Sequence, residues 1–245
     1  MTIFTVKFDV DTSDVWTRLL NVFKASIKRH MPETRIVECK IDKPAYNSSR
    51  PNNATYNTEK LKLWKRYMDV ADDNTIFADC DMLALHSAAG AFDTDFDIGM
   101  TFRPVNSQPP MNGGIVFARP TKQAREFFEM WLEINDKMYA DPPFHHKWRN
   151  RYLGMNQAAF GHMWETGMCD HIRTQIFPTR IWNAVNQDWK YIDNETVFVH
   201  IKSELRRAVL NNVAPYGVYA RPLKAWYQIE KELIGETPKN NHCIC

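Results

Sequence analysis

The stretch formed by residues 1–41 constrains the fold more than any other. Residues 3–10 (IFTVKFDV) are rich in β-branched and aromatic side chains and predict a strand. Asp11, Thr12, Ser13 and Asp14 follow, all suited to a helix N-cap. Val15, Leu19, Leu20, Phe23 and Ile27 then recur at helical spacing up to Pro32, and residues 34–41 (TRIVECKI) predict a second strand. A strand, an amphipathic helix and a strand in that order pair in parallel through a right-handed crossover. The chain is thereby expected to build an α/β domain on a mostly parallel sheet.

The rest of the chain extends this plan. Residues 43–57 are polar, with Pro and Asn, and predict a long loop of the kind that often carries function. Leu61, Trp64, Tyr67 and Met68 predict a helix over 58–70, and Thr75, Ile76, Phe77 and Ala78 a short buried strand. Two more strands are expected over 97–105 and 113–118. A helix is expected over 121–138, with Ala124, Phe127, Phe128, Trp131 and Leu132 on one side. Residues 141–151 (DPPFHHKWRNR) predict a basic, aromatic loop, 152–166 a helix and 196–201 a strand. No repeat or boundary divides the 245 residues, so residues 1–238 are expected to form one domain and 239–245 a flexible tail.

Composition excludes several classes. With 44% hydrophobic and 24% charged residues the chain is not disordered, and 31 basic against 29 acidic residues give no bulk attraction to nucleic acid or anionic membrane. Five cysteines without a repeated Cys-x-x-Cys pair suit a reducing compartment. No signal peptide and no membrane-length apolar run are visible, so a cytoplasmic protein without a membrane span is expected. The terminal Cys243-Ile244-Cys245 is similar to a prenylated end, but nothing else supports lipidation.

The sharpest chemical feature is Asp79-Cys80-Asp81 at the carboxyl end of a buried strand. Ligands of open α/β sheets sit outside the carboxyl ends of strands. Two carboxylates on one turn suit Mg²⁺ or Mn²⁺, which share such ligands with substrate phosphates. The alternative is a turn with two solvated acids. Asn112-Gly113-Gly114 allows close backbone approach to a ligand, or forms a plain turn. His200 is either a ligand or a core histidine at a strand end.

The ordered set of motifs resembles the GT-A-fold glycosyltransferases, nucleotide-diphospho-sugar transferases with a family 8-like layout. The resemblance spans about residues 3–205. It rests on Phe8-Asp9-Val10-Asp11, Asp79-Cys80-Asp81, residues 97–101 with 111–117, Asn156-Gln157, Phe177-Pro178 with Trp182-Asn183, and residues 199–202. It implies a three-layer α/β/α sandwich in one domain, a nucleotide-sugar donor with UDP as the default nucleotide, and Mn²⁺ or Mg²⁺ as cofactor. By the same resemblance Asp79, Asp81 and His200 hold the metal. Val10, Asp11, Lys60, Asp79, Asn112, Gly113, Gly114, Asn156 and Lys202 bind the donor. Asp97 is the candidate base of an inverting enzyme, and Gln157 lies beside the anomeric carbon of a retaining one, the course the resemblance favours. The chain departs from the family pattern in two places: Asn156 stands where Asp is usual, and no Gly separates His200 from Lys202.

Other readings compete. Asp9 and Asp11 after the first strand also match the nucleophile loop of haloacid-dehalogenase-type phosphatases. A non-catalytic sugar-nucleotide or nucleic-acid binding domain is a further alternative. The cations and Trp148 of residues 145–151, with a second cluster at Lys202, Arg206 and Arg207, suit an anionic acceptor, including a modified DNA base.

Overall fold

A computed structural model of the chain describes residues 1–9, 14–42, 52–104, 106–107 and 109–236. Val10, Asp11 and the tail 239–245 therefore lie outside the described residues. The opening unit forms as its pattern predicts: strand β1 (Thr2–Asp9), helix α1 (Val15–His30) and strand β2 (Arg35–Asp42), with β1 and β2 parallel in a single register. Asp14 stands at the helix N-cap, but its side chain caps nothing.

Helix α2 (Asn52–Val70) leads into β3 (Thr75–Asp79), and β4 (Met82–Ala84) follows at once. Then come β5 (Ile98–Phe102), β6 (Met111–Ala118), α3 (Lys122–Ala140), α4 (Pro142–Tyr152), α5 (Met155–Glu165) and β7 (Thr174–Pro178). The chain continues with α6 (Thr179–Trp182), β8 (Phe198–His200), α7 (Ser203–Leu210) and α8 (Ala220–Glu236).

The main sheet has the order β2-β1-β3-β6-β5-β7. All neighbours are parallel except those of β6, which runs against both β3 and β5. Alternation divides its side chains between two layers. Phe4, Phe77, Val116 and Met100 pack with Trp64 of α2, Phe128 and Trp131 of α3, and Phe160 of α5. Ile3, Ile76, Ile115 and Phe117 pack with Phe23 and Ile27 of α1 on the other side. Beyond that layer β4 and β8 form a small antiparallel sheet. Around it Leu19 of α1, Leu205 of α7 and Trp226 of α8 complete a second core. The result is the expected three-layer α/β/α sandwich in one domain.

Two local expectations fail. The loop expected over 43–57 ends earlier, because helix α2 begins at Asn52. Residues 141–151 are a helix rather than a loop. The Asp141 side chain accepts the Phe144 N–H at 3.1 Å, and Pro142 and Pro143 occupy first-turn positions where no N–H is needed. Among the described residues no helix is long and apolar enough to cross a membrane.

Candidate active site

Three short junctions meet at the carboxyl end of β3. The β3–β4 turn carries Asp79 and Asp81, β8 ends in His200, and Asn112 is the second residue of β6. The pairing of β4 with β8 sets Met82 opposite His200, which brings the imidazole over both acids. His200 Nε2 lies 3.3 Å from Asp81 Oδ1 and 3.8 Å from Asp79 Oδ2. One ligand atom from each of Asp79, Asp81 and His200 falls within 4.8 Å of the others.

Each carboxylate is tied back through its other oxygen. Lys60 of α2 donates to Asp79 Oδ1 at 2.6 Å, and Arg206 of α7 donates to Asp81 Oδ2. Lys60 also stands 4.6 Å from the centre of the Trp64 ring, so a buried ammonium is held between a carboxylate and an aromatic face. Burial alone would raise the Asp81 pKa, but the His200 and Arg206 charges hold it well below the usual carboxylate range.

Asn183 orients the imidazole. Its Oδ1 lies 3.2 Å from His200 Nδ1, and its Nδ2 donates to Thr101 Oγ1 at 2.9 Å and to Asn112 Oδ1 at 3.0 Å. Because Nδ2 is committed to acceptors, Oδ1 faces the ring and takes the Nδ1 proton. That leaves Nε2 as the ring nitrogen facing the two acids, placed to donate to Asp81 or, without its proton, to ligate a metal. Asn112 Oδ1 also accepts the Gly114 N–H at 3.0 Å. Two oxygens and one imidazole nitrogen form a donor set that suits a divalent ion such as Mn²⁺.

A cleft of about 210 Å³ opens beside this cluster. Lys60, Asp79, Asn112, Gly113, Gly114, Asn156, Gln157, His200 and Lys202, all expected in the site, line it. Gln157 bridges two walls: Oε1 accepts the Gly113 N–H at 3.0 Å, and Nε2 donates to Tyr152 O at 2.6 Å. Asn156 donates through Nδ2 to Asn57 O at 2.9 Å, while its buried Oδ1 has no partner among the described residues. Burial, then the charge of nearby Arg103, lowers the Lys202 pKa to about 8 against the pull of Asp81 and Asp79. A larger hollow of about 860 Å³ lies between α1 and α8. The Arg18–Glu230 and Arg29–Glu232 ion pairs flank it, and none of the expected site residues line it.

The structure does not bring Asp97 to this cleft. Asp97 precedes β5, whose Ile98 pairs with Ala118, which in turn pairs with Thr75 at the opposite end of β3 from Asp79. Four strand residues separate the two levels, roughly 13 Å. Asp97 is buried there in a bidentate pair with Arg173, at 2.9 Å to Nη2 and 3.0 Å to Nε. These hydrogen bonds hold its carboxyl below the usual range. Arg206 and Asn183 were visible in sequence only as part of a basic cluster and of a Pro-and-Asn segment. What placed them was the pitch of α7, whose Leu205, Ala208 and Val209 are buried, and the bend after α6.

Comparison with known proteins agrees with this fold. The family model for nucleotide-diphospho-sugar transferases matches residues 66–208, more than half of the chain. No curated protein matches it. Among solved structures it is similar to a glycosyltransferase involved in glycosylating the major capsid of PBCV-1 (TM-score 0.57, 11% identity, covering 94% of this chain and 98% of that one). It is also similar to the galactosyltransferase LgtC in complex with donor and acceptor sugar analogues (TM-score 0.57, 13% identity, 95% and 96%). A third is the glycosyltransferase GlyE of Streptococcus pneumoniae (TM-score 0.56, 12% identity, 93% and 60%). At these identities the likeness is one of fold.

Proposed function

The chain belongs to the nucleotide-diphospho-sugar transferase family, and from that premise we propose that it transfers a sugar from a UDP-sugar to an acceptor hydroxyl, with Mn²⁺ or Mg²⁺ bound by Asp79, Asp81 and His200. Family membership favours the transferase over a phosphatase built on Asp9 and Asp11. The observation that carries the proposal is the pair of tied-back carboxylates. Each acid has one oxygen held by a cation and the other directed at His200 Nε2.

When bound, the ion supplies Lewis-acid stabilisation of the charge that develops on the departing diphosphate. The protein's own part is to hold and orient. Lys60 and Arg206 hold the acids in place. Lys202 brings a point charge to the cleft wall. The Asn156 Oδ1 acceptor, buried without a partner among the described residues, suits a hydroxyl of the donor sugar. The glycines at 113 and 114 let the β6 backbone approach the sugar closely. At about 210 Å³ the cleft is smaller than the ~300–1,000 Å³ of a typical whole small-molecule site, which fits the sugar-diphosphate end of a donor.

The make-up of the cleft supports the retaining course that the resemblance implies. Among the described residues lining it, Asp79 is the sole carboxylate, and it belongs to the metal set. An inverting course needs a free carboxylate base at the acceptor hydroxyl. We therefore assign a retaining course, with Gln157 beside the anomeric carbon and a leaving phosphate oxygen taking the acceptor proton.

The test is thermal stability against a panel of nucleotides and sugar nucleotides, with and without Mn²⁺. A ligand that binds only the native state raises the midpoint by mass action. A Mn²⁺-dependent shift with UDP is expected. No shift with any nucleotide would overturn the proposal. Proton NMR of the sugar released on slow donor hydrolysis then reads the anomeric course.

A further inference from the structure

Between α7 and α8, residues 213–218 (VAPYGV) are uncharged and every one of them is exposed. Val213 is 37% exposed, Tyr216 50% and Val218 45%. Single apolar side chains on a surface need no explanation, but a run of them does. The run is braced at both ends. Arg18 of α1 donates to Asn212 Oδ1 at 2.8 Å, and Tyr227 of α8 donates to Val213 O at 2.9 Å. The Tyr219 ring centre lies 5.2 Å from that of Tyr216 and 5.4 Å from that of Trp189. These contacts fix the segment to the fold while its apolar side chains stay in solvent. Tyr191, on the same turn as Trp189, is also 50% exposed.

The charge around this patch is one-sided. Between Glu204 and Glu230 the sequence holds four cations, Arg206, Arg207, Arg221 and Lys224, and no acid. Arg206 is spent on Asp81, and Arg207 pairs with the exposed Glu204. Arg221 donates to Ile192 O and Asn194 Oδ1, which ties it to the chain just after Tyr191. Lys190 and Lys224 are exposed and, like Arg221, make no ion pair among the described residues. The acids that follow Tyr191 are Asp193, which Arg180 holds, and Glu195.

Whatever covers the patch has to offer apolar contact and negative charge together. A second copy of the chain would set cation against cation. A bilayer with anionic lipids offers hydrocarbon beneath a negative headgroup layer, the level at which tyrosine rings seat. Apolar contact and a basic patch are also the two signals that stable peripheral anchoring takes. The chain as a whole carries 31 basic and 29 acidic residues, so the attraction is local to this surface. We propose that residues 213–218, with Tyr191, Lys190, Arg221 and Lys224, dock the protein on an anionic lipid bilayer.

The test is co-sedimentation of the whole protein with vesicles, one set of phosphatidylcholine alone and one with about a third phosphatidylglycerol. Wild type is expected to pellet with the anionic vesicles, to be released as salt rises, and to stay in solution with the neutral ones. The double variant Tyr216→Ser, Val218→Ser is expected to bind about tenfold more weakly. Lys224→Gln is expected to bind about fivefold more weakly. All three side chains are exposed, so melting temperatures are expected to match wild type, and Lys224→Gln keeps the question answerable should the double variant unfold. Neither donor nor metal is needed, so the result stands apart from the proposed transfer. No binding to anionic vesicles, equal binding to neutral ones, or unchanged binding in the double variant overturns the proposal. So does release by free glycerol phosphate, which indicates a phosphate site rather than a bilayer. A wild-type dimer in sedimentation velocity that the double variant abolishes assigns the patch to a second copy and equally overturns it.

Discussion

Replacing Gly114 by alanine probes the metal set without touching a ligand. A Cβ at this position would lie 2.5 Å from His200 Cε1, 2.6 Å from His200 Nδ1 and 2.9 Å from Asn112 Oδ1. Carbon contacts settle near 3.5–4.0 Å, so the imidazole must retreat by about 1 Å. Its Nδ1 hydrogen bond to Asn183 Oδ1 is already 3.2 Å long and does not survive that movement. Loss of such an orienting partner typically lowers metal affinity about 10–100-fold. The overpacking itself costs about 1–3 kcal/mol of stability. At about 2–4 °C per kcal/mol for a chain of this size, the midpoint falls by several degrees. Gly113→Ala is the matched control, since its Cβ meets only the flexible Gln157 side chain, at 3.3 Å. Mn²⁺ titration followed by paramagnetic resonance reads affinity, and thermal unfolding in chelator reads stability. Wild-type Mn²⁺ affinity in Gly114→Ala, or an equal loss in Gly113→Ala, would refute the assignment of His200 as an oriented ligand.

Three further outcomes are expected. Asp79→Ala removes Mn²⁺ binding and strands the buried Lys60 ammonium, a loss of about 3–5 kcal/mol, whereas Asp79→Ala with Lys60→Met recovers much of the melting temperature and none of the metal binding. Asn183→Ala leaves Asn112 and His200 each short of a partner, so denaturant titration is expected to show about 1–3 kcal/mol lost per unsatisfied group, alongside weaker Mn²⁺ binding. Asp97, whose folded pKa is depressed, contributes stability that is complete above the ordinary Asp value near about 4 and lost as pH falls through the lower folded value. Melting curves of Asp97→Asn should therefore start lower at neutral pH and fall less steeply in acid, with donor-induced stabilisation kept.

Much of this site was legible because it lies at the ends of strands with strong patterns. The buried run Thr75–Ala78 stops at two acids, and a strand end in an α/β sheet is where ligands gather. Lys60 was reachable only through the family resemblance, as the basic residue on the helix before the two acids. Asp97 misled for the same kind of reason. It too flanks a strand, but only the antiparallel course of β6 shows that it flanks the amino end, far from the cleft. Pairing direction is a tertiary property that a short apolar run does not encode. Residues 141–151 misled because Pro and charge suggest a loop, whereas Asp141-Pro142-Pro143 is a helix start whose apolar face is thin. Arg206 was out of reach because its role depends on which carboxylate stands opposite it.

The same opposition of charges argues for how the protein behaves without metal. Two carboxylates on one turn repel each other, and a site of bare acids would need its ion in order to fold. Here Lys60 and Arg206 each hold one of them, and Asn183 fixes His200 without any ion. The metal-free cluster is therefore already compensated, unlike small metal-dependent folds whose binding energy is their folding energy. Chelation is expected to move the melting temperature of the ligand-free protein by no more than a degree or two. It should nevertheless abolish the stabilisation given by UDP, because the diphosphate then meets Asp79 and Asp81 with no cation between them. A large drop in melting temperature on chelation alone would show that the two cations do not substitute for the ion, and that the cluster is assembled by the metal rather than before it.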